Sequence, residues 1–232
     1  MSKILVSQSI TKEFNKKEQI LKGISLGIEE ETFTVILGPS GSGKSTLLNI
    51  LSGLLKPTSG KVVYRGKELT LFTESQLADW KRNEVGYVFQ NYMLLNNLTA
   101  EENIKIGISP NSTPLPFDRL TRILGIESIL DKFPSEMSGG EQQRTAIARA
   151  VIKNPSILFC DEATGSLDES NSKKVVELLH SLKNIFGISV LFITHNLQIA
   201  ETADRIITIK DGLLFEDIIN HNPISASNMI WG

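Results

Sequence analysis

Four short runs in this 232-residue sequence place polar and charged groups at telling spacings. Gly38-Pro39-Ser40-Gly41-Ser42-Gly43-Lys44-Ser45 matches G-x-x-x-x-G-K-[ST]. Glycines at this spacing let backbone N–H groups turn inward around phosphate oxygens, and a helix starting at Lys44 adds its positive end. Lys44 would neutralise β- and γ-phosphates, and the Ser45 hydroxyl would bind Mg²⁺. Ile157-Leu158-Phe159-Cys160-Asp161-Glu162 carries two carboxylates at the tip of an apolar run. There Asp161 can orient Mg²⁺ and its waters, and Glu162 can polarise an attacking water as general base. Two acids ending a strand are also an ordinary solvated turn. Thr194-His195 closes a third apolar run. Ser138-Gly139-Gly140-Glu141 reads two ways, as a second phosphate-binding helix start or as a plain capping box.

The elements that must hold these groups follow from periodicity. Lys3 to Ile10 and Ile20 to Ile28 alternate as strands, and Phe33 to Leu37 is a short β-rich run stopping at Gly38. A helix over Lys44 to Leu51 completes a strand–loop–helix unit. Lys61 to Tyr64 and Val85 to Phe89 read as strands, Glu74 to Arg82 as a helix. From about Asn91 to Glu136 the character changes. Helical stretches (Ala100 to Ile106, Phe117 to Leu124, Ile126 to Asp131) are broken by Pro110, Pro114 and Pro116, as in a small inserted helical subdomain. A helix capped by Ser138 runs to about Lys153. Ile157 to Asp161 and Ser189 to Thr194 are buried parallel strands, separated by a helix over Ser170 to Phe186. Asn196 to Thr202 is helical, and Arg205 to Ile209 and Leu213 to Ile218 are strands. Strands alternating with helices give an α/β fold with a mainly parallel core sheet. Asn220 to Gly232 carry weak signals and are expected to be poorly ordered.

Composition excludes several classes. With 24 basic and 26 acidic residues the net charge is −2, and no basic stripe stands out, so no nucleic-acid partner is expected. The single cysteine, Cys160, allows no disulfide within the chain and reads as a buried, inert thiol. No run reaches the roughly 18 apolar residues that span a bilayer, and the start of the sequence does not read as a signal peptide. At a membrane, another chain would have to supply the spanning helices.

Taken in order, these runs resemble the ABC ATPases, over about residues 3 to 217. Met137-Ser138-Gly139-Gly140-Glu141 is similar to that family's LSGGQ signature, with Met137 for leucine and Glu141 for glutamine. Asp161-Glu162 resembles the Walker B pair, followed by Ala163 where proline is usual. Ser166-Leu167-Asp168 resembles the D-loop, His195 the switch histidine that contacts the γ-phosphate, and Gln90 the Q-loop glutamine that reaches Mg²⁺ and the attacking water. Phe14 sits where the family stacks an aromatic on adenine, though a core phenylalanine is the plainer alternative.

The resemblance implies a single P-loop ABC ATPase domain over 1–232. Residues 1–90 and 137–217 form the nucleotide-binding core, with an antiparallel β subdomain, 91–136 the helical subdomain and 218–232 a tail. It implies ATP and Mg²⁺ as cofactors and an ATP-dependent homodimer. In that dimer Gly38–Thr46 of one copy faces Ser138–Glu141 and Asp168 of the other across ATP. It implies a peripheral place on the cytoplasmic face of the membrane and an integral membrane permease contacted by about 91–103. There Tyr92, Met93, Leu94, Leu95 and Leu98 either line a partner groove or pack internally. The run from Gly86 to Ile104 looks like the macrolide- and bacitracin-exporter and lipoprotein-release group, with few residues between Gln90 and the signature for that group. The rival implications are a cell-division ATPase and a soluble assembly ATPase.

Overall fold

The computed structural model describes residues 2–15, 18–110 and 112–230. Its centre is β3 (Phe33–Leu37), buried along its whole length. β3 lies between two parallel neighbours, β8 (Ser189–Ile193) and β9 (Arg205–Lys210). The sheet continues through β7 (Ile157–Asp161) to β6 (Val85–Val88), again parallel. Only β10 (Leu213–Ile219), on the far edge, runs antiparallel.

Both faces of β3, β6, β7 and β8 are covered, which is why these strands are apolar runs rather than alternating, whereas β10 is exposed along its whole length. Phe33, Val35, Leu158, Cys160, Val190 and Phe192 face one side. There they meet α5 (Gly139–Val151), α6 (Glu169–Phe186) and α7 (Leu197–Glu201), along with the smaller helices α3 (Ala100–Lys105) and α4 (Phe117–Leu124). Ile36, Ile157, Phe159, Leu191 and Ile193 face the other side. That side is filled by α1 (Lys44–Leu51), α2 (Glu74–Glu84) and a four-stranded antiparallel sheet of order β2-β1-β4-β5. The four strands are β1 (Lys3–Asn15), β2 (Glu18–Glu29), β4 (Ser59–Tyr64) and β5 (Lys67–Glu68).

Three expectations are corrected. β1 extends past Ile10 to Asn15, and a left-handed Ser9 at φ 48° takes up the register shift that a plain alternation does not reveal. Ile126 to Asp131 is no α-helix; it closes as a single 3₁₀ turn, Glu127–Ile129, after the left-handed Gly125 ends α4. The segment after β10 is seated rather than loose. Ala226 and Met229 are buried in the core cluster, and Ile224 N donates to Glu201 O. Its apolar residues follow no helical or strand period, so they gave no pattern to read. Trp231 and Gly232 lie outside the described residues.

Candidate active site

The parallel strands deliver their C-terminal ends to one edge of the sheet, where open α/β sheets bind ligands. Val88 pairs with Cys160, Asp161 with Ile193 and Ile36 with Ile193, so the strand ends are level. The chain leaves β3 at Gly38, β7 at Glu162, β8 at Thr194 and β6 just before Gln90. Residues far apart in sequence therefore meet in one place.

The loop after β3 shows why glycine is needed at two positions. A Cβ on Gly38 would lie 2.1 Å from Ile209 O of β9, so the loop can leave the sheet here only without a side chain. Gly43 begins α1 at φ 99°, and a Cβ there would meet Leu21 at 2.7 Å. Lys44 is only 6% exposed and donates to Gly38 O (2.8 Å) and Pro39 O (2.9 Å). Burial lowers its pKa, opposed by the nearby Glu162 and Asp161 carboxylates. Ser42 Oγ is buried without a hydrogen-bond partner, close to where a Gly38 Cβ would stand. Phe14, Ile20, Ser40, Gly41, Gly43, Lys44, Ser45, Thr46 and Glu162 line one cleft. Phe14 is 55% exposed, which removes the core-phenylalanine alternative; Lys12 Nζ sits 5.2 Å from its ring centre.

Ser45 Oγ donates to Asp161 Oδ1 at 2.9 Å, joining the start of α1 to the end of β7. Burial raises the Asp161 pKa, and the Glu162 charge raises it further; the Ser45 bond and Lys44 pull it down. A hydroxyl and a carboxylate side by side are hard oxygen donors, a set that suits Mg²⁺ held jointly with substrate phosphates. Glu162 turns out of β7 at φ 46°, a conformation side chains other than glycine rarely adopt. That turn sets its Oε1 3.7 Å from His195 Nδ1. A Cβ on Gly165 would stand 3.2 Å from Gln90 Nε2 and 3.7 Å from Glu162 Oε2, so Gln90 and Glu162 flank the same glycine.

Ser138, Gly139, Gly140, Glu141 and Asp168 do not line this cleft. They form a second group at the starts of α5 and α6. Ser138 caps α5 through Glu141 N, and Glu141 Oε2 accepts from Ser138 N at 2.7 Å and from Ser138 Oγ at 2.8 Å. These bonds hold the Glu141 carboxyl below its usual pKa. Asp168 caps α6 through Asn171 N, and Asn171 fills the space beside Gly140. The capping box is thus real, and it leaves the two glycines unobstructed by side chains of their own.

Two contacts escape a reading of the sequence. Arg149, in the last turn of α5, donates to Tyr92 O (2.7 Å) and Met93 O (2.5 Å), fixing two residues in left-handed conformation just after Gln90. Tyr92 Oη bonds Ser166 Oγ at 2.8 Å, beside the D-loop. An arginine on a helix that carries a glycine signature was the one available signal.

A glycine loop closing a parallel sheet, a buried lysine and a strand-end carboxylate in contact with the loop serine define a phosphate-binding P-loop protein. The chain matches the model described as "ABC transporter" over residues 21–165, and it belongs to that family. It is 42% identical over 215 residues to an ABC transporter ATP-binding protein of Mycoplasma pneumoniae, the MG065 homolog, covering 91% of this chain and 46% of that one. It therefore spans about half the length of that relative. It is 38% identical over 223 residues to the bacitracin export ATP-binding protein BceA of Halalkalibacterium halodurans, covering 93% and 88%. Among solved structures it is similar to the dimeric cassette MJ0796, described as a bacterial ABC transporter cassette. The TM-score is 0.84 and the identity 34%, over 94% of this chain and 99% of that one.

Proposed function

We propose that this ABC-family chain binds and hydrolyses ATP as a dimer, on the cytoplasmic face of a bacterial membrane, and thereby drives a separate membrane permease. The observation that carries hydrolysis is the meeting of Glu162 and His195, 3.7 Å apart, at the rim of a cleft that also holds Lys44. Backbone amides of Gly38 to Thr46 cradle the phosphates, with Lys44 leaving its loop carbonyls for the β- and γ-oxygens. Phe14 stacks on adenine. Glu162 takes a proton from the attacking water, and His195 and Gln90 hold that water and the γ-phosphate. Ser45, Asp161 and Gln90 would hold Mg²⁺, which when bound supplies charge neutralisation on the phosphates. Ser138–Glu141 and Asp168 lie apart from the cleft, so they serve the ATP of a second copy, with the N-terminus of α5 aimed at its γ-phosphate.

The test is Glu162→Gln. It is expected to keep ATP binding, lose turnover and run as a stable ATP-bound dimer on size exclusion. Normal hydrolysis by this variant would remove Glu162 as the base.

The permease reading rests on a groove between the core and the helical subdomain. Leu54, Tyr87, Phe89 and Met93 line it, together with Lys81, Arg149 and Lys153. Burial lowers the Lys153 pKa to about 8, and among the described residues no carboxylate pairs with these three cations. A lining of apolar and cationic side chains suits a short amphipathic helix carrying acidic or C-terminal groups. The 92–98 run divides: Met93 and Leu95 are exposed, while Tyr92, Leu94 and Leu98 are half-buried. Met93→Glu and Leu95→Glu should therefore abolish binding of a co-expressed permease and leave basal ATPase unchanged. A parallel loss of basal ATPase would mean that these side chains are internal packing.

A further inference from the structure

α7 starts two residues after His195 and is five residues long. A helix this short cannot hold its own place through internal hydrogen bonds, so whatever packs on it sets its position. At its start Asn196 Oδ1 accepts from Gln198 N (2.8 Å) and Ile199 N (3.4 Å), and Asn196 N donates to Thr194 Oγ1 at 3.0 Å. Its inner face buries Ile199 and Ala200. The segment 220–230 returns from β10 and grips both of its ends. Asn220 Nδ2 and Ile224 N each donate to Glu201 O at 3.1 Å, and Ile230 N donates to Gln198 Oε1 at 3.2 Å. Met229, 2% exposed, and Ala226 join the apolar cluster that contains Ile199, Ala200 and Ala203.

His195 itself is barely held. Its side chain is 72% exposed, and among the described residues no hydrogen bond fixes its ring. Its location is therefore inherited from the backbone that runs into α7. We propose that segment 220–230 is a strap that fixes α7 and, through it, the reach of His195, making Met229 and Gln198 positioning residues for hydrolysis. The proposal rests on the reading of His195 as the γ-phosphate contact. Among the described residues no hydrogen bond or ion pair joins the strap to the phosphate cradle, so it acts on turnover and leaves ATP binding alone.

Steady-state ATPase of the whole purified chain tests this, with melting temperatures recorded in parallel. Met229→Ala is expected to lower kcat about tenfold at unchanged KM for ATP, since small misplacements of a reacting group are costly. Met229→Leu, which keeps the volume, should restore kcat. Gln198→Ala removes only the acceptor for Ile230 N and should lower kcat in the same direction, by about twofold to threefold. Unchanged kcat in both Met229→Ala and Gln198→Ala overturns the strap. So does a loss that moves KM equally or that Met229→Leu does not rescue, which would mark general loosening. If Met229→Ala fails to fold, Gln198→Ala alone decides. His195→Ala is run beside them: if it retains normal turnover, the reading of His195 fails first, whatever the strap does.

Discussion

At Gly38 the constraint is space. An added methyl group would collide with the backbone of β9, so Gly38→Ala must push the whole loop off the sheet. ATP binding, followed by fluorescent-nucleotide titration, should fall below detection, as it should for Lys44→Ala, where the cation itself is lost. At Asp161 the constraint is electrostatic. A half-buried carboxylate with a raised pKa, beside Glu162, is held against its own preference. Asp161→Asn removes that repulsion and is expected to raise Tm by about 2 °C while abolishing turnover, the trade seen where function asks for strain. A Tm that falls would show the charge's help to the Ser45 bond and its attraction to Lys44 to be worth more than the cost of burying it. The cradle and the carboxylate pair were readable in the sequence because their geometry is local: consecutive amides, or adjacent residues at one strand tip. The hold of Arg149 on Tyr92 O and Met93 O was not, since it joins backbone carbonyls to a side chain 56 and 57 residues away.

Among the elements, α6 carries a pH-dependent contribution. His180 stacks on Phe33 with ring centres 4.2 Å apart. Thr202 Oγ1 donates its one proton to Ile199 O and so accepts from the His180 Nε2–H at 3.0 Å. Burial lowers its pKa to about 4 from 6.5. Below pH 6.5 the unfolded chain takes up a proton that the native state refuses. This contribution is therefore intact above 6.5 and lost as pH falls toward 4. Between pH 7 and pH 5 the loss is about 2 kcal/mol, measurable by urea unfolding, and His180→Phe should flatten the profile. The loop before α3 depends on one buried amide. Asn103 Oδ1 accepts from Leu95 N, and Asn103 Nδ2 donates to Leu95 O, Leu98 O and Thr99 O. Asn103→Ala should cost about 2 kcal/mol in the same measurement. The capped start of α5 was legible to the residue, and its end to within two. A loop tied by an asparagine, or a strap seated by Ala226 and Met229, has no period to betray it.

For the molecule as a whole, the separation of the two glycine-rich helix starts bears on the proposed shared site. If each cleft is completed by the α5 terminus of another copy, specific activity must rise with protein concentration in the low range. A plot of rate against concentration with slope near one throughout would speak against a shared site. The parallel sheet and its two covered faces were foreseeable from uninterrupted apolar runs at Phe33, Ile157 and Ser189. The order in which the strands lie side by side came only with the fold, because the strands themselves are too alike to choose neighbours. Cys160, on β7 between β8 and the edge strand β6, gives the fold a use of its own. It is the only sulfhydryl in the chain and is wholly buried, with its ionisation suppressed by that burial. A thiol-specific dye can reach it only when β7 parts from its neighbours. In the unaltered chain, the rate of dye uptake is thus a clock for opening of the core. The factor by which ATP slows that clock gives nucleotide affinity without any measurement of hydrolysis.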